Sequence, residues 1–275
     1  MAKKWYEVTL KPLQPLHIGS GNYGVVNPTR IFIPGWTMWG ALTAAFGKHM
    51  GWNKNDLSKD QNELFEQVSN FYPVIDSKIL FPNFKNGEFC LGEYSEKVFR
   101  YYATETFAST AINASTQTAK DKMLYEIEYL LPVLKDKKKK IFWQGSLFVD
   151  LDQSKLEEFL KEFLRRGEIL YIGGERSKGF GMMEIEMITE LEKREDWSNP
   201  NRKIFTNFVK DSEWIEYGKA TYIAEIEKSD SYDLTLKKLT KIYLPGCRKS
   251  PKTPANGRLI KGVLVKCKLD DIFQN

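Results

Sequence analysis

The first residues of the chain alternate between apolar and polar side chains. Over residues 5–13, apolar side chains recur at every second position, with Tyr6, Val8 and Leu10 on one face. This period of two predicts a β-strand with one buried face. Pro12 and Pro15 cannot donate to a sheet ladder, so the strand is expected to end there.

Apolar side chains further along the chain change to helical spacing. Trp39, Leu42 and Phe46 recur every three or four positions, which predicts an α-helix ending near His49 with Thr37 at its N-cap. The same analysis predicts a helix over 57–71, strands over 123–131 and 141–151 joined by a lysine-rich hairpin loop at 135–140, a helix over 154–166, and strands over 168–172 and 182–188.

The predicted elements follow the βαββαβ order of a ferredoxin-like, or RRM-like, α+β fold with insertions. Residues 104–122 are rich in Thr, Ser, Ala and Asn, which predicts an exposed arm. We therefore expect a first domain over 1–190 that carries this arm, followed by a charged linker over 190–200. Residues 201–275 are expected to form a smaller region, β-rich or a second reduced RRM-like unit, with strands over 220–226 and 259–266 and a short helix near 232–239.

Composition narrows the class of protein. The chain has 275 residues, of which 42% are hydrophobic and 28% charged, as in a water-soluble protein with a real core. Its net charge of +5 permits a polyanionic partner. The cysteines Cys90, Cys247 and Cys267 form no CxxC pair, so neither a zinc site nor a disulfide framework is expected. With no signal region and no long apolar run, we expect a cytoplasmic protein without a membrane partner.

A glycine-rich run, Gly173 to Gly181, carries the strongest candidate chemistry. Four glycines and two cations, Arg176 and Lys178, occur within its nine residues. Glycine permits positive φ, and successive N–H groups in such a turn can form an anion-binding concavity. The run therefore indicates a phosphate-binding loop, and the alternative is a glycine-rich turn with solvated charges.

Four segments together resemble the RAMP superfamily of CRISPR effector proteins. They are Pro-Leu-His-Ile-Gly-Ser-Gly at 15–21, Ile-Pro-Gly-Trp-Thr-Met-Trp-Gly-Ala-Leu at 33–42, Ala-Ile-Asn-Ala-Ser-Thr-Gln-Thr-Ala at 111–119 followed by Leu-Tyr-Glu-Ile-Glu at 124–128, and Gly-Gly-Glu-Arg-Ser-Lys-Gly-Phe-Gly at 173–181. Each segment alone is a weak signal, but all four occur in the family's order. The resemblance covers about residues 5–188.

The resemblance implies an RRM-like core and a subunit of a type III effector complex in antiviral defence. The implied partners are crRNA, target RNA by way of the guide, neighbouring RAMP subunits and a large polymerase-like subunit. No cofactor and no metal are implied. The subunit would be either a repeated backbone subunit or a terminal one that holds the 5′ handle of the guide.

The glycine-rich run and the start of the first helix are expected to bind phosphates of the guide RNA. The residues expected to contact RNA are Gly173, Gly174, Arg176, Ser177, Lys178, Gly179 and Gly181 of the run, Gly35, Trp36 and Thr37 of the helix, and Arg30, His17 and Ser20 before it. For the tryptophans, packing in a core or subunit interface is the alternative to base stacking.

A ribonuclease is the alternative function. His49 resembles the histidine of CRISPR repeat-processing enzymes, which cut RNA by acid–base chemistry. Target-cleaving backbone subunits carry an aspartate before the Ile-Pro-Gly segment, but Asn27 is the nearest candidate here, and residues 18–46 contain no Asp or Glu. We therefore expect no metal-dependent cleavage. A third hypothesis is an assembly subunit that contacts only protein.

Overall fold

The computed structural model describes residues 2–21, 23–51, 64–136, 138–151, 153–191, 206–210, 212–228, 234–250 and 257–266. Its helices are α1 (Gly35–His49), α2 (Glu96–Ala103) and α3 (Gln153–Glu162). Its strands are β1 (Ala2–Pro12), β2 (Val26–Asn27), β3 (Tyr72–Ile75), β4 (Lys78–Ile79), β5 (Pro82–Lys85), β6 (Glu88–Leu91), β7 (Tyr94–Ser95), β8 (Thr104–Asn113), β9 (Thr118–Leu130), β10 (Phe142–Leu151), β11 (Ile169–Tyr171), β12 (Met182–Leu191), β13 (Phe208–Val209), β14 (Ile215–Tyr217), β15 (Ala220–Lys228), β16 (Leu234–Tyr243), β17 (Arg248–Lys249), β18 (Gly257–Ile260) and β19 (Val263–Lys266).

The central sheet has the strand order β11-β12-β1-β10-β3-β4. Strand β1 pairs antiparallel with β10 on one side and β12 on the other, and β10 pairs antiparallel with β3. In chain order, the four core strands are β1, β3, β10 and β12. Across the sheet they lie in the order β12-β1-β10-β3, that is, fourth, first, third, second. This is the strand order of a ferredoxin-like fold. The predicted α+β class is confirmed, with further β structure beyond this core.

The second core strand is not where the apolar pattern predicted it. The predicted strand at 123–131 lies in β9, which pairs with β8 rather than with β10. The core position is taken by β3, whose four residues are all buried. A strand buried on both faces shows no alternation, so its sequence does not reveal it.

Two predicted helical features also differ. Helix α1 begins at Gly35, with Pro34 rather than Thr37 at the N-cap, because the fixed φ of proline (−64°) suits the entry to a helix. The helix predicted near 232–239 is wrong where the structure describes it, since β16 pairs with β15 along most of its length. Of the helix predicted over 57–71, residues 57–63 lie outside the described residues and 64–71 form turns and bridges.

The core lies between the central sheet and the helices α1 and α3. Phe46 of α1 makes edge-to-face contacts with Phe159 and Phe163, at 5.6 and 5.1 Å between ring centroids. The sheet contributes fully buried side chains such as Leu10 and Trp143. This packing fixes the direction of α1 and of β11, the strand that leads into the glycine-rich run.

The C-terminal region forms a sheet of five strands in the order β15-β16-β13-β19-β18. It docks on the start of α1, where the Phe208 ring lies 4.7 Å from the Trp36 ring. Phe208 and Ile242 both join the main hydrophobic core. Among the described residues, no helix is long and apolar enough to cross a membrane.

Candidate nucleic-acid interface

Strands β8 and β9 form a long antiparallel hairpin, which we call the arm (residues 104–130). Its register runs from Thr104 opposite Leu130 to Asn113 opposite Thr118. All side chains over 111–124 are exposed, whereas Ile127 and Leu130 at the other end are buried. The arm therefore projects from a packed base, and the residues predicted as an arm (104–122) lie within it.

The glycine loop (residues 173–181) is fastened to residues 15–17 by backbone contacts. The Gly174 N–H donates to the His17 carbonyl at 3.0 Å, and the Gly181 N–H donates to the Pro15 carbonyl at 2.8 Å. At Gly173, where φ is 81°, an added Cβ would lie 2.2 Å from the His17 oxygen. Glycine is required here because the two backbones approach too closely for any side chain.

Several N–H groups of the glycine loop are already used within the protein. Besides those of Gly174 and Gly181, the Lys178 and Gly179 N–H groups donate to the Glu175 and Arg176 carbonyls. The side chains of Arg176 and Ser177, in contrast, are exposed. The loop therefore offers its side chains to an anion more than its backbone.

Lys178 and Phe180 join the glycine loop to the arm. The Lys178 ammonium lies 2.6 Å from a Glu175 carboxylate oxygen and 4.4 Å from the centroid of the Tyr125 ring. Hydrogen bonding to Lys178 lowers the pKa of Tyr125, and hydrogen bonding to Glu175 raises the pKa of Lys178. Beside them, the Phe180 and Tyr129 rings lie 5.1 Å apart.

Residues 15–21 and 23–30 pack on the same part of β9. His17 is buried and its Nδ1 lies 2.7 Å from the Glu128 carbonyl oxygen, which places the proton on Nδ1 in the neutral ring. The Ser20 hydroxyl donates to the Pro28 carbonyl, and the Asn27 amide donates to the Glu126 carbonyl. These three segments (residues 15–21 with 23–30, residues 125–130 and residues 173–181) meet here, and we call their meeting the junction.

The Glu128 carboxylate holds the junction together. One oxygen accepts from the Thr29 N–H at 2.9 Å and from Arg100 at 2.8 Å, and the other accepts from the Thr104 hydroxyl at 3.1 Å. Arg100 also donates to the Thr29 carbonyl and pairs with Glu96. From the sequence, Glu128 is identified only as part of the segment at 124–128 that resembles the RAMP superfamily. No sequence pattern indicates a role for Arg100.

Arg30 is the last residue of the first junction segment, and its guanidinium is partly buried. Its N–H donates to the Ile18 carbonyl at 2.7 Å, and its side chain lies over the Trp36 ring at 5.8 Å. Burial lowers the pKa of the guanidinium. No carboxylate of a described residue pairs with Arg30 or with Arg176, so both cations are available to an anion.

The start of α1 is covered by the C-terminal region. The Gly35 N–H donates to the Asn70 side chain at 2.8 Å, and a Cβ at Gly35 would lie 2.3 Å from the Gly262 nitrogen. The Lys261 ammonium lies 3.6 Å from the Trp39 ring centroid. Gly35, Trp36 and Thr37, which were predicted to contact RNA, thus lie where the C-terminal sheet docks.

Comparison with known proteins identifies a family that matches most of the chain. The sequence model of the RAMP superfamily matches residues 9–184, well over half of the chain. The chain belongs to the RAMP superfamily. The comparison with curated proteins finds no match.

Solved structures share the fold of this RAMP protein. A chain of the cryo-EM structure of the Type III-B Cmr-beta bound to cognate target RNA superposes with a TM-score of 0.60 at 17% identity, covering 88% of this chain and 86% of that one. A chain of the same assembly bound to cognate target RNA and AMPPnP gives a TM-score of 0.57 at 17% identity, covering 88% and 85%. At this identity the likeness concerns the fold.

The candidate catalytic residues of this RAMP protein lie in ordinary surroundings. His49 is exposed at the end of α1, with its Nε2 3.9 Å from Glu162 and its ring against Phe163. Asn27 is engaged with β9, as described above. In the described part of the chain, no group of His, Cys, Asp or Glu is arranged to hold a metal ion.

Replacing Glu128 of this RAMP protein with Gln should loosen the base of the arm. The neutral amide loses the charged contacts to Arg100 and Thr29, so the free energy of unfolding should fall by about 2 kcal/mol. Glu126→Gln, on the same strand, is the control and should change it by less than about 0.5 kcal/mol. Urea unfolding and hydrogen exchange over 100–130 measure both, and equal stabilities would contradict the assigned role of Glu128.

Proposed function

We propose that this RAMP protein is a non-catalytic RNA-binding subunit of a type III CRISPR effector complex in the cytoplasm. It would hold the backbone or the 5′ handle of crRNA at the junction. The observation that carries the proposal is the pair of guanidinium groups of Arg30 and Arg176, neither of which pairs with a carboxylate among the described residues. Both groups can bind a phosphate through two parallel hydrogen bonds, and the partly desolvated guanidinium of Arg30 gains most from one.

The junction suits contacts that position RNA without reading its sequence. Arg30, Arg176 and Lys178 supply positive charge, and the Ser177 hydroxyl supplies a hydrogen bond, all of which suit phosphate oxygens. The glycines Gly173 and Gly181, together with buried His17 and Ser20, hold the loops in place through the backbone contacts described above. Gly35, Trp36 and Thr37 would contribute indirectly by supporting Arg30 and the C-terminal sheet.

The two similar structures support target RNA and other subunits of an effector complex as partners. Both chains come from a Type III-B assembly bound to cognate target RNA. By analogy, target RNA would reach this subunit by pairing with the guide, and the exposed arm would lie along the guide or on a neighbouring RAMP subunit. The large polymerase-like subunit would be a further partner of the complex.

The salt dependence of RNA binding tests the proposed phosphate contacts at the junction. Arg30→Ala and Arg176→Ala should each reduce the slope of log K against log salt concentration by about 0.7, the value for one phosphate contact on a single strand. Arg258→Ala, on the exposed surface of β18, is the matched control and should leave the slope unchanged. Unchanged slopes for both junction variants would instead favour a subunit that contacts only protein.

The proposal assigns no RNA cleavage to His49 or Asn27. His49 has a carboxylate and a phenyl ring as neighbours, and the Asn27 amide cannot serve as a carboxylate base. RNA incubated with the wild-type protein should therefore remain intact, as it should with His49→Ala. Cleavage by the wild type that disappears in the His49→Ala variant would establish the ribonuclease alternative.

A further inference from the structure

A groove of about 680 Å³ lies between α2 and the first residues of the arm. Val98, Tyr101 and Tyr102 form the α2 side, and Thr104, Thr106 and Lys135 are among the residues of the other side. The Lys135 N–H donates to the Tyr102 carbonyl at 3.0 Å, which fixes the far wall against α2. The groove is therefore a built feature of the fold.

The groove is lined by three cations, which differ in whether a carboxylate already pairs with them. Lys97, Arg100 and Lys135 line it, whereas Glu105 is the one carboxylate among the described lining residues. Glu105 is paired with Lys135 at 2.7 Å, which lowers the pKa of the carboxyl group. Lys97 is exposed and pairs with no carboxylate of a described residue. Arg100 is already bonded to Glu96 and Glu128, and Lys135 to Glu105. Among the described lining cations, Lys97 is therefore the one whose ammonium is available to a ligand.

An aromatic ring lies open to solvent one helical turn after Lys97. Tyr101 is 71% exposed, although its edge-to-face contact with Tyr102, at 5.0 Å between centroids, holds the ring in place. Val98, one helical turn before Tyr102, is 42% exposed. An exposed ring beside an available cation can stack a base of single-stranded RNA while the cation holds a phosphate.

We infer that this groove binds single-stranded RNA, with a base stacked on Tyr101 and an adjoining phosphate at Lys97. The site adjoins the junction, because Arg100 and Thr104 line the groove and also bond to Glu128. An RNA strand that leaves the junction would therefore enter the groove next. The inference rests on the proposed function in one respect only, which is that the polyanion bound near the arm is RNA.

Binding of fluorescein-labelled oligouridine to the full-length protein tests the groove. Tyr101→Ala should weaken binding about tenfold through loss of one stacked base, whereas Tyr101→Phe should bind as the wild type does. Lys97→Ala should reduce the salt slope by about 0.7. Tyr222→Ala is the matched control, since Tyr222 is 60% exposed on the C-terminal sheet. Crosslinking of 4-thiouridine RNA should label the segment over 97–106.

The results separate this inference from the proposed function. If Arg30→Ala and Arg176→Ala weaken RNA binding while Tyr101→Ala and Lys97→Ala do not, the groove does not bind RNA. The proposed RNA contacts at the junction would then still stand. The reverse would support the groove alone. If Tyr101→Ala removed another protein from the purified complex without changing RNA affinity, the groove would be a protein contact. Failure of the wild type to bind oligouridine at low salt would also overturn the inference.

Discussion

Gly173→Ala is expected to detach the glycine loop from residues 15–17. The new methyl group would lie 2.2 Å from the His17 carbonyl oxygen at a backbone position with φ of 81°, so loop and segment must separate. Overpacking typically costs 1–3 kcal/mol, and the left-handed conformation costs an alanine a further amount of about 1 kcal/mol. We expect the free energy of unfolding to fall by about 3 kcal/mol, and RNA binding to weaken as the junction loses its shape.

Gly179→Ala is the control for this variant within the same loop. Gly179 has nearly the same φ, 84°, but an added Cβ would meet nothing within 4 Å. Only the conformational cost applies, so we expect a loss of about 1 kcal/mol and near-normal RNA affinity. Urea unfolding and RNA titration of both variants make the comparison. Equal losses would mean that the contact with His17 does not hold the loop.

Gly35→Ala is expected to displace the C-terminal sheet. A Cβ at Gly35 would lie 2.3 Å from the Gly262 nitrogen and 2.4 Å from its Cα. Because both sides of this contact are backbone, no rotamer change can relieve the clash. The docking contacts of Phe208 and Lys261 should weaken, with a loss of about 3 kcal/mol in the free energy of unfolding. Limited proteolysis should then cut the region over 206–266 sooner than in the wild type.

Gly40→Ala changes the same helix without this clash. A Cβ at Gly40 would meet nothing within 4 Å, so the variant should gain about 1 kcal/mol from helix propensity. Opposite signs for Gly35→Ala and Gly40→Ala would therefore separate docking from helix formation. A loss of similar size in both variants would show that the approach of Gly262 does not account for the Gly35 effect.

The sequence predicted the fold class because its strongest patterns are local. The alternation in β1, the helical spacing of α1 and the run leading into β12 all depend on neighbours within a few residues. Strand β3 and the partner of β9 depend on pairings between distant residues, which periodicity does not record. The extended conformation of β16 likewise depends on pairing with β15.

The junction could be predicted only in part for the same reason. The sequence singled out His17, Glu128 and the glycine loop as parts of separate family segments. It did not show that the Gly174 N–H donates to the His17 carbonyl and the Gly181 N–H to the Pro15 carbonyl. Nor did it show that Arg100, 28 residues before Glu128, supplies the charge that the carboxylate needs.

Isolation of the native complex through a tag on this chain, with sequencing of the RNA that copurifies, tests the central claim most directly. The account predicts discrete guide RNAs that share a repeat-derived 5′ end, recovered together with other CRISPR proteins. Arg30→Ala with Arg176→Ala should reduce the RNA recovered per chain, whereas Arg258→Ala should not. Recovery of the wild-type protein without guide RNA would contradict the proposed function.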